Sequence, residues 1–412
     1  MSSSPSYRAL FAIPGFSRLV TSMILARVAQ QMVALVLVLL ALQRFGSAGV
    51  AGAVTFVAIA PGLVAAPIAG ALLDRHGRTR LVTLDYLISA AALGLIALLA
   101  NADVLAVPVL MLIVTISSIT SPMSNTGVRT LFPLIVPERL WERANAIDSN
   151  GYVVASIFGP ALAGALVAAF GPPAALAFIA VIFVAAAIAA SGLRDPAELP
   201  ETGRLLSDAW QGLVHVARHP TLRSLAIAIS TSNISQGLFF IALPVLVLQR
   251  FGGGPEFVGL LFALMGVSGS VSVLLIGRVS SRGREHIFLA GSMLAMAGAF
   301  AIVLVGASIP AVVALGMLAV GIATGPFDVA LFTVRQRRTD PAWMGRAFAV
   351  SMALNFAGFP IGAALGGAIV PVSIEIALVI AVVVNIVAAG MSFVWLPRED
   401  AESDLAASQR SV

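Results

Sequence analysis

Four charged side chains lie at least four residues inside the ends of long apolar stretches of the sequence, where ionised groups are rare. They are Arg27, Asp85, Asp148 and Asp328. An ionised side chain at the centre of a membrane-spanning helix costs about 2.5–3.5 kcal/mol, so each of these needs an opposite charge or a hydrated cavity. Such side chains are typical of ion pathways and ligand sites inside membranes. We therefore take these four residues as the first candidates for function.

Several enzyme chemistries are excluded by residue types that the sequence lacks. It contains no Cys, and all 24 of its basic residues are Arg. Thiol chemistry, a Schiff-base lysine and the lysine of a nucleotide-binding P-loop are therefore absent. The four histidines, His76, His215, His219 and His286, lie at or beyond the ends of the apolar stretches. An intramembrane serine protease would have no base there, so we expect no enzyme activity and no bound cofactor.

The composition is that of a protein surrounded by lipid. Apolar residues make up 59% of the 412 residues and charged residues 10%, whereas a soluble domain is about 45–50% apolar and about 25% charged. A membrane-spanning helix needs about 20 apolar residues. Twelve such stretches are found, at 18–42, 48–73, 81–100, 104–128, 144–169, 173–191, 221–248, 256–277, 286–306, 309–333, 346–370 and 372–396. The sequence predicts an all-α membrane protein with twelve transmembrane helices.

Arginines are distributed unevenly between the loops on the two sides of these helices. One side carries Arg75, Arg78, Arg80, Arg139, Arg143, Arg194, Arg204, Arg218, Arg223, Arg278, Arg282, Arg284, Arg335, Arg337, Arg338 and Arg346. The other side carries Arg44 and Arg250. Because arginine-rich loops face the cytoplasm, both termini are predicted to be cytoplasmic, in the inner (cytoplasmic) membrane. The net charge of +5 then reflects topology, and we expect no nucleic-acid partner.

The two halves of the sequence repeat each other. The pentapeptide LQRFG occurs at 42–46 and again at 248–252, an offset of 206 residues. FGPALAGAL at 158–166 corresponds to IGAALGGAI at 361–369, an offset of 203. A repeat unit of six spans keeps both copies in the same orientation, so the halves are predicted to be parallel six-helix repeats that enclose a site near the midplane. The predicted domains are 1–191, a linker at 192–220, and 221–412.

The linker is predicted to end in an amphipathic helix on the cytoplasmic face. Leu206, Trp210, Leu213 and Ala217 recur in it at helical spacing. His215 and His219 have a spacing that suits a metal ligand pair, but no acidic residue accompanies them. A solvated helix face is the favoured interpretation of this pair, and no metal site is expected.

The second cytoplasmic loop, GALLDRHGRTR at 70–80, resembles the loop signature of the major facilitator superfamily. Only Thr79 departs from the pattern, at a position that is basic in the family. The signature residues are Gly70, Asp74, Arg75, Gly77 and Arg78. With the twelve spans and the six-plus-six repeat, the resemblance covers the whole chain and implies a transporter.

This loop is expected to act as a conformational latch. Gly70 allows two helices to approach closely. Asp74 can face the positive N-terminus of the eleventh span near Gly345, and Arg75 and Arg78 can bridge to cytoplasmic carboxylates. In the second copy of the repeat Ser280 stands where Asp74 stands in the first, so the latch is predicted to be asymmetric.

The fifth span resembles the antiporter signature of the same superfamily. It contains Gly151, Gly159, Pro160 and Gly164, and Ala163 replaces a further glycine of the pattern. Small residues on one face permit tight helix packing, and the proline bends the helix. This signature, with the run RANAID at 143–148, resembles the drug- and macrolide-efflux and enterobactin-exporter branch and implies export.

The resemblance also implies which candidates face the transport cavity, because spans 1, 4, 7 and 10 line it in the superfamily. Arg27 and Asp328 are therefore the first candidates for transport and coupling, and Asp148 is the next. Asp85 is expected to pair with loop arginines instead. At the repeat offset of 206, Gln30 corresponds to Gln236 and Arg27 to Asn233. We expect Gln30, Asn233 and Gln236 to flank the substrate.

These observations predict a monomeric secondary transporter that exports a small amphipathic compound by alternating access, driven by a proton gradient. Asp328 follows Gly325, Pro326 and Phe327, where proline removes a backbone hydrogen bond, and could carry the proton. An uptake permease for a sugar or an organic anion is the first alternative, since Arg27 would suit an anion. A lipid flippase or a non-transporting membrane sensor is the second.

Overall fold

The computed structural model describes residues 7–193, 205–277, 284–338 and 344–397, and these ranges are helical with short connections. The helices are α1 Tyr7–Phe11, α2 Phe16–Phe45, α3 Ala48–His76, α4 Arg78–Asn101, α5 Val107–Ile135, α6 Trp141–Ser191, α7 Leu205–Arg218, α8 Pro220–Val245, α9 Pro255–Ile276, α10 Glu285–Val305, α11 Pro310–Arg337, α12 Met344–Phe356, α13 Gly358–Ile369 and α14 Ile374–Trp395. A 3₁₀ turn, Glu138–Leu140, precedes α6, and a π-helical turn, Leu246–Arg250, follows α8.

The described helices account for the twelve predicted spans. Eleven stretches are long and apolar enough to cross a membrane, and one of them, Arg143–Ser191, is 49 residues long. Within it Gly171 has φ 80° and ψ 165°, which breaks the helix before Pro172 and Pro173. This stretch therefore contains two crossings, and the predicted boundary between 144–169 and 173–191 is confirmed.

The C-terminal pair of spans is also divided where the sequence predicts it, between Ile369 and Ile374. The eleventh span, predicted as one helix over 346–370, is instead interrupted at Ala357, where α12 ends and α13 begins. Neither this interruption nor the short α1 is predicted by hydropathy, because both leave the apolar pattern unchanged.

By internal contacts the chain divides into two compact units, Met1–Leu206 with Val247–Ala263, and Ser207–Leu246 with Leu264–Val412. In the first unit α2 and α4 pack on α6, and α3 packs on α5. In the second, α8 packs on α13 and α14, and α10 packs on α11 and α14. The predicted linker of 192–220 stays a prediction, since residues 194–204 lie outside the described part.

The glycines that end the two copies of the LQRFG repeat have the same backbone φ angle. Gly46 and Gly252 both have φ 60°, in the left-handed region that favours glycine. Gly46 follows the last residue of α2, and its N–H donates to the Leu42 carbonyl. Both copies of the pentapeptide thus finish on a left-handed glycine, which is the physical reason for a glycine at that position.

The outer surface of the helices is apolar, as a lipid environment requires. Val64, Leu274 and Val305 are 80%, 73% and 86% exposed, although water would penalise such exposure. Inside the second unit, polar groups are hydrogen-bonded to one another. Ser232 Oγ donates to Asn385 Oδ1 at 2.8 Å, and Asn385 Nδ2 donates to Ser235 Oγ at 2.6 Å, which ties α14 to α8.

Candidate functional site

A buried ion pair joins α2 to α6 in the first unit. Arg27 Nη2 lies 2.6 Å from Asp148 Oδ1, and the two side chains are 8% and 18% exposed. Arg27 Nη1 also donates to the backbone carbonyl of Asp148 at 2.6 Å. The guanidinium is therefore held by two oxygens of one residue, a geometry that favours arginine over any other cation. The intramembrane charges of Arg27 and Asp148 compensate each other.

Tyr152 extends this pair into a cluster. It lies one helical turn after Asp148, and the Arg27 guanidinium carbon is 3.6 Å from its ring centroid. The guanidinium carbon of Arg129, from α5, is 5.0 Å from the same centroid. An aromatic ring attracts cations to its face, so Tyr152 holds two arginines together that would otherwise repel each other.

Gly151 provides the space that the cluster needs. A Cβ atom at this position would lie 2.9 Å from Arg27 Nη1 and 3.1 Å from Met23 Cε. Gly159 likewise lies against α2, where a Cβ would be 2.5 Å from the Cβ of Gln31. The glycines of the predicted antiporter-like run thus bring α6 close to α2, and one of them makes room for the buried arginine.

The remaining members of that run lie further along α6. A Cβ on Gly164 would lie 2.5 Å from the carbonyl oxygen of Pro255 and 3.0 Å from the Cα of Gly259. Pro160 lies inside the helix, and its carbonyl faces Gly259. Gly164 therefore permits backbone contact between α6 and the start of α9 within the first unit.

A small polar cavity adjoins the cluster. Its lining includes Arg27, Gln30, Tyr86, Asn125 and Tyr152. Its volume of about 10 Å³ is the space of about one water molecule, whereas a drug-sized ligand needs about 300–1,000 Å³. A ligand of that size would fit here only if these side chains moved. Of the predicted residues, Arg27 and Gln30 line this cavity, and Asp148 reaches it only through its ion pair with Arg27.

Asp85 is buried nearby on α4 and is 1% exposed. Its carboxyl group lies beside the hydroxyl groups of Ser124 and Thr120 on α5, and its Oδ1 has no hydrogen-bond partner among the described residues. The expected ion pair with a loop arginine is not found in the described part of the chain.

In the second unit Asn233 and Gln236, which were predicted to flank the substrate, contact different helices. Asn233 Nδ2 donates to the backbone carbonyl of Asn355 at 2.8 Å, and Gln236 Nε2 contacts Met296 Sδ at 3.7 Å. The Asn355 amide, oriented with its oxygen toward Arg335, accepts from Nη2 of that fully buried arginine.

Asp328 is partly buried on α11 and forms no ion pair or hydrogen bond with any residue that the structure describes. Its helix is continuous but lacks one backbone hydrogen bond nearby, because Pro326 has no N–H to donate to the Ile322 carbonyl one turn earlier. Ser272 Oγ from α9 donates to that carbonyl instead, at 2.6 Å. A Cβ on Gly325 would lie 2.3 Å from Ser272 Oγ, so the glycine allows this substitute hydrogen bond.

The latch loop is described in part. Gly77 has φ 89° between α3 and α4, a conformation that favours glycine. Arg75 is exposed and Arg78 is half-buried. Gly345 lies in α12, but the structure does not describe the side-chain surroundings of positions 70, 74 and 345, so the contact of Asp74 with the eleventh span stays a prediction.

One member of the predicted histidine pair has a structural role, since His215 lies in α7 and His219 caps the start of α8. The rings of His215 and His219 are 5.7 Å apart, and His219 Nδ1 accepts from the Leu222 N–H at the start of α8. Within the described ranges, no group of three or more residues is arranged to hold a metal ion.

Sequence reasoning did not find Tyr152 or the stacking of Arg129. The available signal was spacing, since Tyr152 follows Asp148 by four residues and so shares its helix face. Which arginine would meet that face depends on how α2 and α5 are positioned along α6, and no local pattern specifies this.

Comparisons with known proteins agree with this architecture. The chain matches the family model described as Major Facilitator Superfamily over residues 19–350 and 225–411. It is 40% identical over 370 residues to the "Uncharacterized MFS-type transporter y4rN" of Sinorhizobium fredii (strain NBRC 101917 / NGR234), which covers 89% of this chain and 91% of that protein. It is 28% identical over 374 residues to the "Multidrug efflux pump Tap" of Mycolicibacterium fortuitum, over 87% of this chain and 90% of that one. A bacterial homolog of the human lysosomal transporter Spinster, crystallised in an inward-facing and unoccupied conformation, has a TM-score of 0.75 at 15% identity, over 93% of this chain and 98% of that chain.

Proposed function

Because this chain belongs to the major facilitator superfamily of membrane transporters, we propose that it exports small amphipathic compounds across the cytoplasmic membrane in exchange for protons. As a family member it is a multi-pass transporter and not an enzyme. Similarity to a multidrug efflux pump supports export. The observation that carries the proposal is the buried Arg27–Asp148 pair beside a polar cavity, since such charges are retained inside a membrane for function.

In this mechanism the first unit contacts the substrate. Arg27, Gln30 and Tyr152 line a cavity too small for a substrate, so binding must displace Arg27 and Tyr152 from their present contacts. A substrate that stabilises the displaced arrangement shifts the protein toward the conformation that accepts it. The ion pair with Asp148 stabilises the closed arrangement and re-forms when the substrate leaves.

The proton is assigned to Asp328 in the second unit. A carboxylate that is hydrated in one conformer and dry in the other binds a proton in one and releases it in the other, as antiport requires. The backbone hydrogen bond that α11 lacks at Pro326 supports this assignment, because the Ile322 carbonyl accepts instead from Ser272 of α9. A change between α9 and α11 would therefore move the backbone next to Asp328.

A second candidate function, uptake of an organic anion, is favoured by one observation. Asp148 neutralises Arg27, but no described carboxylate forms an ion pair with Arg129, which is exposed above Tyr152. The cluster therefore keeps an excess positive charge that would attract an anion. The direction of substrate flux separates this candidate from export.

Export is tested with a panel of compounds in an efflux-deficient host. Cells that express the protein should tolerate higher concentrations of some lipophilic compounds and accumulate less of them, and a protonophore should abolish both effects. The control is the same host with the Arg27→Gln variant. Greater accumulation of an anionic compound in expressing cells, and no compound excluded, would instead support uptake.

The proposed orientation, with the linker in the cytoplasm, gives a sharp topology test because the chain contains no cysteine. An Asp208→Cys variant should resist an impermeant thiol reagent in intact cells and react after permeabilisation. Ala102→Cys, in the exposed loop between α4 and α5, should react in intact cells. The reverse pattern would refute the orientation.

A further inference from the structure

An apolar groove in the second unit lies between the amphipathic helix α7, the first half of α8 and the end of α12. Its volume is about 420 Å³, which falls in the range of small-molecule sites at about 300–1,000 Å³. Its apolar lining is provided by Val216, Ala226, Ile227, Ile234, Leu354 and Ala357. This groove is separate from the Arg27 cluster, which belongs to the first unit.

The groove begins where a close contact between two helices ends. A Cβ on Gly362 or Gly358 would collide with the carbonyl oxygens of Ile234 and Ser230, so α13 and α8 touch through their backbones there. The backbone contact stops at Ala357. On the other side of Ala357, Val350 and Leu354 of α12 pack on α8 through their side chains. Because backbone contact changes to side-chain contact at this point, the helices leave a wedge-shaped space between them.

One end of the groove is basic. Arg223, in the first turn of α8, lines it and is exposed, with Nη1 3.3 Å from the Ala217 carbonyl. It forms no ion pair with a carboxylate in the part of the chain that the structure describes. Arg218, at the end of α7, is exposed nearby, and Trp210 on the same helix is 65% exposed. Tryptophan is enriched at the membrane–water interface, and arginine-rich segments lie on the cytoplasmic side of it.

We propose that this groove binds an anionic phospholipid, with an acyl chain between α8 and α12 and the phosphate on Arg223. An apolar space at the depth of a transmembrane helix is filled by hydrocarbon more favourably than by water. A phosphate is the matching partner for an exposed guanidinium at the end of such a space, and basic pockets between membrane helices recognise anionic head groups. The assignment of the lipid to the cytoplasmic leaflet rests on the orientation proposed above.

The test uses the purified full-length protein in detergent and needs neither transport nor a defined orientation. Native mass spectrometry measures how much phosphatidylglycerol or phosphatidylcholine remains bound at equal added concentrations. The wild type should prefer phosphatidylglycerol by about five-fold, the effect expected of one arginine near an anionic head group. Arg223→Gln should remove this preference, while Arg218→Gln, an equal change of charge outside the groove lining, should keep it.

A second variant tests the groove itself. Ala217→Phe places an aromatic side chain into the space without a change of charge, and Ala217 is exposed, so the fold should tolerate it. We expect this variant to retain less of both lipids while its melting temperature remains that of the wild type. Equal binding of the two lipids by the wild type, an equal effect of the two arginine variants, or unchanged lipid binding by Ala217→Phe would each overturn the proposal.

Discussion

Replacing Arg27 by glutamine should abolish transport and lower thermal stability, whereas the same change at Arg44 should do neither. Both arginines pair with an aspartate, Arg27 with Asp148 at 2.6 Å and Arg44 with Asp103 at 3.0 Å. The pairs differ in burial, because the Asp103 side chain is 92% exposed and that of Asp148 is 18% exposed. Breaking a buried pair costs about 3–5 kcal/mol since it leaves an uncompensated charge, whereas a surface pair contributes about 0–1 kcal/mol.

A double variant separates the structural part of this effect from the functional part. Arg27→Gln combined with Asp148→Asn removes both charges, and neutral replacement of a buried pair is often tolerated. We expect the double variant to recover the melting temperature that the single variant loses. Transport should remain at least about ten-fold below wild type, because the ion pair that stabilises the closed arrangement can no longer re-form when the substrate leaves.

The measurements are the melting temperature of the purified protein and the initial rate of efflux at matched expression. Full transport by Arg27→Gln would exclude a role for the pair. Full transport by the double variant would make the pair a structural element only, and the substrate contact would then have to be sought elsewhere in the cavity.

The transmembrane pattern was accessible from the sequence because it depends on local composition. The break at Gly171 is an example, since a glycine followed by Pro172 and Pro173 cannot continue a helix whatever surrounds it. The LQRFG repeat is another, because its recurrence pointed to two equivalent halves; both copies end on a left-handed glycine, although the first copy lies in an α-helix and the second in a π-helical turn. Such features need no knowledge of which helices meet.

The contacts of the site were not accessible in the same way. Arg27 and Asp148 are 121 residues apart, and each was a candidate by itself. Their pairing depends on how far α2 and α6 are shifted along each other, and the close approach at Gly151 and Gly159 contributes to this. The linker helix shows the same limit. Its helical form was predicted, but Val216, which is not on the predicted apolar face, is buried, while Trp210 from that face is exposed.

The missing backbone hydrogen bond at Pro326 in α11 was predicted from the sequence, but the substitute hydrogen bond from Ser272 was not. A proline predicts an unpaired carbonyl one turn earlier. The partner of that carbonyl comes from another helix, α9, at a place where Gly325 allows the approach. The sequence therefore predicts where a backbone carbonyl inside the membrane needs another hydrogen-bond donor. Only the packing of the helices decides which residue donates that hydrogen bond.

Replacing Asp328 by asparagine should uncouple transport from the proton gradient without abolishing it. Asparagine keeps the size and the hydrogen-bonding capacity of the side chain but cannot bind or release a proton at neutral pH. Asp328 has no ion pair or hydrogen bond within the described part of the chain, so the change breaks no contact seen there. We therefore expect wild-type expression and a wild-type melting temperature.

Asp85→Asn is the matched control, because it makes the same substitution at another buried intramembrane aspartate. Asp85 lies beside the hydroxyl groups of Ser124 and Thr120 on α5, which an asparagine can also contact. Since we assign no proton to Asp85, its variant should keep proton-driven transport with an unchanged pH profile.

The decisive measurement is transport into everted vesicles or proteoliposomes with and without an imposed pH gradient. With the gradient, wild-type protein should accumulate substrate, and Asp328→Asn should reach an inside-to-outside ratio of about one, because a gradient can drive only a conformational cycle that binds protons differently in its two states. Exchange of labelled for unlabelled substrate should continue in the variant, since exchange needs alternating access and no proton.

Proton-driven accumulation by Asp328→Asn with the wild-type pH dependence would remove Asp328 as the coupling site. The same vesicles would then test Asp148→Asn, whose carboxylate would have to leave Arg27 before it could take up a proton.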